Sequence, residues 1–351
     1  MENNWFKNLE TLKNKDFSKI SMRFFKKITS IIGTIFLLAF LFICFEVYVP
    51  INPGSNETII FTVEKGWGDD DIAVNLEKLK IIRSSYFFKF YAILSLKHTS
   101  LKAGEYNVSP KMSAHDIANK MAKGDVIRDK VVVPEGWDKK DIGKYLETKG
   151  TCTQKYFISL VKNDYSEDFD FLMDKPKDAD LEGYLFPDTY EISKGATCED
   201  ILSAMLSNFG KKLTPALRTE IKKQNTSIFD MVTTASMIEK EVISLEDKKI
   251  VSGVLWKRII IGMPLQIDAT VVYITGNSKV SINDTKIDSP YNTYKYYGLP
   301  KGPISNPGID SLTAAIYPTA SKYLYYLTAG KTIFSETLEQ HNEAKYKYLN
   351  N

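Results

Sequence analysis

The chain is 351 residues long, 44% hydrophobic and 25% charged, an ordinary folded composition with room for two or three units. A formal charge of +3, with basic residues clustered only near the N-terminus, excludes nucleic acid as a leading partner. His98, His115 and His341 form no ligand spacing with cysteines or acids. Without a P-loop, a Rossmann glycine run or a G-x-S-x-G elbow, the sequence points to no metal and no cofactor.

Lys7, Lys13, Lys15, Lys19, Arg23, Lys26 and Lys27 precede an uncharged apolar run from Ile28 to Phe45. At roughly 18 residues, lengthened across Glu46 to Val49, the run reaches the span of a bilayer. A basic flank stays on the cytoplasmic side, so a single-pass anchor is expected at 28–49, with 1–27 cytoplasmic and everything after Pro50 extracytoplasmic. A cleaved signal peptide is the rival. The long basic tail, the length of the run and the lack of an A-x-A-like site argue for the anchor. Cys152 and Cys198 either pair in an oxidising compartment or stand as free thiols, and the sequence leaves both open.

Residues 50–58 read as a Pro/Gly/Asn/Ser linker. An internal repeat follows: FTVEKGWGDDDIAVNLEKL from Phe61 aligns with VVVPEGWDKKDIGKYLETK from Val131, an offset of about 70 residues. The common pattern is strand, glycine turn, then a helix opened by acids. The first copy continues through a helical stretch, Ser85–Leu96, to a strand, Gly104–Val108. That unit, 59–110, resembles the LysM-type modules that bind glycans. Trp67 and Trp137 either stack on sugar rings or cover a small core, and for the second copy the packing role is favoured. Ser113-x-x-Asp116 caps a short helix that Gly124 stops.

Further along, 149–180 reads as helices and an acidic loop, and LEGYLFPDTYEI at 181–192 presents Tyr184, Phe186 and Tyr190 as aromatic surface. Helices are expected from Cys198 to about Lys212, from Pro215, and from the Ser244-x-x-Asp247 cap to Ile261. MPLQIDATVVYIT ends with the β-branched density of a strand. Ser289–Gly308 gathers four prolines, three glycines and four tyrosines, a long irregular stretch of the kind that is usually functional. A helix at 311–316, a strand at 323–328, a turn at Gly330 and a helix from Glu336 to about Tyr348 complete the chain.

The stretch with the sharpest chemical pattern is SIFDMVTTASMIEKEVI, 227–243. Ser227 and Asp230 form a helix start, and Ile228, Met231, Ala235, Ile238 and Val242 recur at helical steps. On a wheel, Glu239 falls in the apolar arc while Glu241 lies off it. Glu239 is therefore either a partly desolvated carboxyl, protonated near neutral pH and fit to act as a general acid, or an edge glutamate that snorkels to water or pairs with a lysine.

EGYLFPDTY, ASMIEKE, MPLQIDATVVY, SPYNTYKYYGLPKGPISNPG and the tail FSETLEQHNEA, in that order, resemble the MltG/YceG-like endolytic murein transglycosylases. The resemblance implies an α+β protein: a transmembrane helix, the LysM-like module and a larger mixed catalytic domain at 111–351. It implies cleavage of the β-1,4 bond between N-acetylmuramic acid and N-acetylglucosamine in nascent peptidoglycan, leaving 1,6-anhydro ends. Peptidoglycan strands and the wall synthases are the implied partners. Glu239 corresponds to the family's catalytic glutamate. Gln266, Asp268 and Thr270 match its Q-x-D-P-T segment, and Tyr291, Asn292 and Thr293 its Y-N-T-Y loop; with Tyr184 these are the expected substrate-binding residues. Ala269 and Lys301 replace prolines usual in the family, which bears on loop rigidity more than on chemistry. A muramidase-type hydrolase, with Glu182, Asp188, Glu241 or Asp268 as second carboxylate, and a non-catalytic wall-binding scaffold are the alternatives.

Overall fold

A computed structural model describes residues 25–97 and 100–349 in full and, for residues 3–24, the backbone alone. His98 and the side chains of Lys7 through Arg23 lie outside that description. The chain divides into two compact units, one ending at Arg128 and one beginning at Asp129.

The first unit opens with helix α1, Asn3–Tyr48. Its segment Phe25–Tyr48 has a mean hydropathy of 2.6 and, at 24 residues, is long and apolar enough to cross a membrane. Arg83 fixes the exit from this helix by donating to the carbonyls of Val49 and Pro50, at 2.6 Å each. Strand β1, Ile59–Val63, then leads through helices α2, Asp69–Lys78, and α3, Ser85–Leu94, to strand β2, Gly104–Val108. The two strands pair antiparallel with Phe61 opposite Tyr106. Helix α4, Ala114–Lys123, starts at the Ser113–Asp116 capping box and stops at Gly124 in the left-handed conformation. Its Ala114, Ile117, Ala118 and Met121 are packed into the same core as Ile72, Leu76 and Phe88. Helix α4 therefore packs within the first compact unit, which ends at Arg128.

The second unit begins with the second repeat copy. Strand β3, Arg128–Val132, is followed by helix α5, Lys139–Thr148, with Asp138 and Asp141 in a capping box like that of α4. Both tryptophans of the repeat pack against their own units: Trp67 lies edge-on to Phe61 and Trp137 edge-on to Tyr145. Helix α6, Gln154–Val161, precedes strand β4, Thr189–Ser193, which pairs with β3. Helices α7, Cys198–Lys212, and α8, Pro215–Lys223, start at threonine caps. A disulfide joins Cys152 to Cys198, with Cα atoms 6.2 Å apart, and so ties the start of α7 to the segment before α6.

Helix α9, Ile228–Glu241, lies at the centre of this unit, with Met231, Val232, Ala235, Met237 and Ile238 all buried. Around it pack α8, helix α10, Leu245–Ile260, helix α11, Asp268–Thr275, and helix α12, Ile309–Ile316. The segment Asp268–Thr275 is helical, against the strand expected from its β-branched residues. Its Thr270 and Val271 are buried and the helix packs against α9, and packing outweighs a propensity difference of at most about 1 kcal/mol. Strand β5, Tyr325–Ala329, turns at Gly330 into strand β6, Lys331–Ser335, and helix α13, Leu338–Leu349, follows. The β6 strand was not legible as such, because its five residues alternate too briefly to register.

The irregular stretch 289–308 is docked firmly onto α9. Ile304 N–H donates to Ser236 Oγ at 3.0 Å, and Ser305 Oγ donates to the Ser236 carbonyl at 3.0 Å. Asn306 then joins two further segments: its Oδ1 accepts from Gly183 and Leu185 N–H, both at 2.9 Å, and its Nδ2 donates to Glu182 and to the Trp137 carbonyl. Only glycine fits at Gly183, where φ is +88° and a Cβ would meet Val232 and Pro303 at 2.6 Å.

Candidate active site

Two glutamates end α9, and their separation of two residues turns them about 200° apart on the helix. Glu239 faces inward. Its side chain is 8% exposed; Oε1 accepts from Lys248 Nζ at 3.1 Å and Oε2 from the Gly308 N–H at 2.9 Å. Lys248, on α10, is itself 4% exposed, so the two charges are buried together. The expected burial of Glu239 is present, and so is the lysine partner that the sequence left as the alternative. Glu135, which the sequence did not single out, has its carboxylate beside Gly308, lying where a Cβ there would project. Partial burial and repulsion from Glu239 raise its pKa.

Glu241 faces the other way, into a cavity of about 340 Å³. Its lining includes Glu241, Gln266 and Asp268, Tyr325, Tyr326 and Thr328 of β5, and Leu338, His341 and Lys345 of α13. Burial pushes the Glu241 carboxyl up to about 7, with repulsion from Asp268 adding to the rise and a hydrogen bond from Tyr326 and the Arg258 charge opposing it. A carboxyl with that value is half protonated near neutral pH, the condition for donating and then recovering a proton. Desolvation thus acts on Glu241, although the wheel had placed it off the apolar arc. The wheel counted only residues of the helix itself, whereas the β5 strand and Arg258 close over its end.

Gln266 and Asp268 are exposed and line this cavity. Gln266 holds a left-handed backbone, φ +51°, and its N–H donates to the Thr293 carbonyl at 3.1 Å. Such a conformation costs a non-glycine residue about 1 kcal/mol or more and collects at functional sites. Asp268 accepts a hydrogen bond from the Tyr294 hydroxyl, which fixes its orientation.

The other expected contact residues stand behind the cavity wall. Thr270 and Thr293 are buried and hydrogen-bonded to each other at 3.0 Å, and Thr293 Oγ1 accepts from the Ile267 N–H. Buried Asn292 donates to the carbonyls of Thr285 and Ile287 and accepts from the Tyr294 N–H, bracing the loop. Tyr291 is partly buried against Tyr273, away from the cavity lining. Tyr184 is a correction: its ring is fully buried between Phe171 and Phe209, where no sugar reaches. Its neighbours Phe186 and Tyr190 are core residues too.

Of the proposed second carboxylates, Glu182 is 1% exposed and occupied by the Lys139 N–H, Asn306 and Tyr273. Asp188 is committed to Asn208 and lies near Lys212. Asp268 alone of that group shares the cavity with Glu241. Arg258, Tyr294, Tyr325, Tyr326, His341 and Lys345 also line the cavity and were not singled out from sequence as binding residues; Tyr294 and His341 fall inside matched motifs, which was the available signal.

Residues 61–347 match the YceG-like family. An endolytic murein transglycosylase of Bacillus subtilis (strain 168) is 34% identical over 317 residues, covering 86% of this chain and 87% of that protein. One from Streptococcus pneumoniae serotype 2 (strain D39) is 31% identical over 334 residues; the match covers 86% of this chain and 60% of the pneumococcal protein's length. The crystal structure of a yceG-like protein from Listeria monocytogenes is similar with a TM-score of 0.57 and 34% identity, covering 83% of this chain and all of that one.

Proposed function

The chain belongs to the YceG-like family, and on that premise we propose that it is a membrane-anchored endolytic murein transglycosylase in which Glu241 is the acid and base. The relatives in Bacillus subtilis and Streptococcus pneumoniae carry that activity in their names. The carrying observation is the placement of Glu241: a carboxyl with a pKa of about 7, in a cavity it shares with Gln266 and Asp268. The motif match favours Glu239 instead, but that side chain is committed to Lys248 and Gly308.

In this reading Glu241 protonates the glycosidic oxygen between N-acetylmuramic acid and N-acetylglucosamine. The resulting carboxylate then accepts the proton of the muramyl C6 hydroxyl, whose oxygen attacks the anomeric carbon and closes the 1,6-anhydro ring. No water is consumed. Asp268, oriented by Tyr294 and lining the same cavity, is the group whose charge would stabilise the cationic character that develops at the anomeric carbon. Cleavage within nascent strands would end their elongation, close to the synthases that extend them.

Several features support the placement. The apolar Phe25–Tyr48 segment suits an anchor, and the basic residues before it favour a cytoplasmic N-terminus. The Cys152–Cys198 disulfide suits an oxidising, extracytoplasmic compartment. The β1–α2–α3–β2 order, with one antiparallel strand pair, supports a LysM-like, glycan-binding role for the first unit.

Hydrolysis is the second reading, favoured by one observation: Asp268 is a second carboxylate in the same cavity, available to activate water. Mass spectrometry of strands digested by the purified full-length chain separates the two. Transglycosylation yields 1,6-anhydro ends, hydrolysis yields reducing ends, and a scaffold yields neither.

A further inference from the structure

We propose that α13 supplies a carboxylate-recognising subsite, in which Lys345 and His341 receive an acidic group carried by the muramyl residue beside the scissile bond. This rests on the glycan-cleaving reading above. His341 and Lys345 are four residues apart and so share one face of α13, with Leu338 one turn earlier, and all three line the Glu241 cavity. Lys345 is exposed and makes no ion pair among the described residues. The His341 ring stacks on Tyr325 at 5.3 Å, while its Nδ1 has no hydrogen-bond partner among those residues.

The cavity's other cation is already occupied. Arg258 Nε donates to the Leu324 carbonyl at 2.7 Å, and Nη1 donates to those of Leu265 and Pro264 at 2.7 and 3.5 Å. Lys345 is therefore the charge left for a ligand. Asp268 lines the same cavity and disfavours a second carboxylate beside it, so an acidic substituent is accepted in one orientation, toward Lys345. That would set the register of the sugar chain over Glu241. The muramyl residue offers two such acids: the lactyl carboxylate, free when the stem peptide has been removed, and the carboxylates of the stem itself.

The test compares wild type, Lys345→Ala, Lys345→Arg and His341→Gln on three strands: with intact stems, with stems removed by an amidase, and with stem carboxylates amidated. Lys345→Ala should raise KM about tenfold where the recognised acid is present, with kcat little changed and Lys345→Arg restoring most of the loss. A penalty confined to amidase-trimmed strands identifies the lactyl carboxylate; one confined to intact strands, and abolished by amidation, identifies the stem. Affinity for the same strands is measured in a Glu241→Gln background. Lys345-dependent binding without cleavage by the wild type would count against the reaction and for the subsite. Equal KM and equal affinity for Lys345→Ala and wild type on all three strands would overturn the subsite.

Discussion

Glu239 and Glu241 end the same helix and face opposite sides of it, one in a buried ion pair with Lys248 and the other in an open cavity. Two acids two residues apart thereby sit in different surroundings. The pair with Lys248 joins α9 to α10, and the Gly308 contact joins both to the docked loop, so Glu239 holds the frame from which Glu241 projects.

Removing one partner of that pair strands a buried charge. Glu239→Gln should destabilise the fold by about 3 kcal/mol, since the Lys248 ammonium keeps only neutral acceptors. The double variant Glu239→Leu/Lys248→Met should recover much of that loss. Urea denaturation of the three proteins checks both statements, and equal midpoints for Glu239→Gln and wild type would contradict them.

The pH dependence has a definite sign. The folded-state pKa of Glu241 is raised to about 7, so the protonated form is favoured by folding. Its stabilising contribution is complete below the unfolded carboxyl value and is lost as pH rises through about 7; at most about 3 kcal/mol is involved. Cleavage should decline over the same upper range as the acid deprotonates. Stability and rate profiles from pH 5 to 9 measure this, and Glu241→Gln should lose that part of the stability slope.

Gln266 holds a strained backbone at the cavity edge. Gln266→Gly should leave stability unchanged or raise it by about 1 kcal/mol, while kcat/KM falls through loss of the side chain. A loss of both stability and activity would indicate that the side chain serves the fold instead.

Much of this architecture was legible in the chain. The caps at Ser113, Ser227 and Ser244 announced their helices because an S-x-x-D pattern satisfies backbone donors locally. The repeat at Phe61 and Val131 reappears as matching strand, glycine turn and capped helix. What stayed hidden depends on residues far apart in sequence. Asp268–Thr275 is a helix packed against α9, and Thr270 and Thr293 join segments whose partners lie up to 26 positions away. The closing of β5 over Glu241 joins residues more than 80 positions apart, and no wheel drawn on α9 contains it.

The Cys152–Cys198 bond was equally undetermined by spacing. Closing a loop of 46 residues, it should contribute about 4 kcal/mol by restricting the unfolded chain. Reduction, or Cys152→Ser with Cys198→Ser, should lower the denaturation midpoint while leaving the cleavage products unchanged, as thermal unfolding and product mass spectrometry would report.

The most direct measurement compares Glu241→Gln with Glu239→Gln on purified strands, with rates normalised to the folded fraction of each protein. Glu241→Gln should fold as wild type and lose at least about a hundredfold in kcat, the usual loss for a general acid, while folded Glu239→Gln stays active. A well-folded Glu239→Gln without activity, beside an active Glu241→Gln, would contradict the assignment of the proton to Glu241.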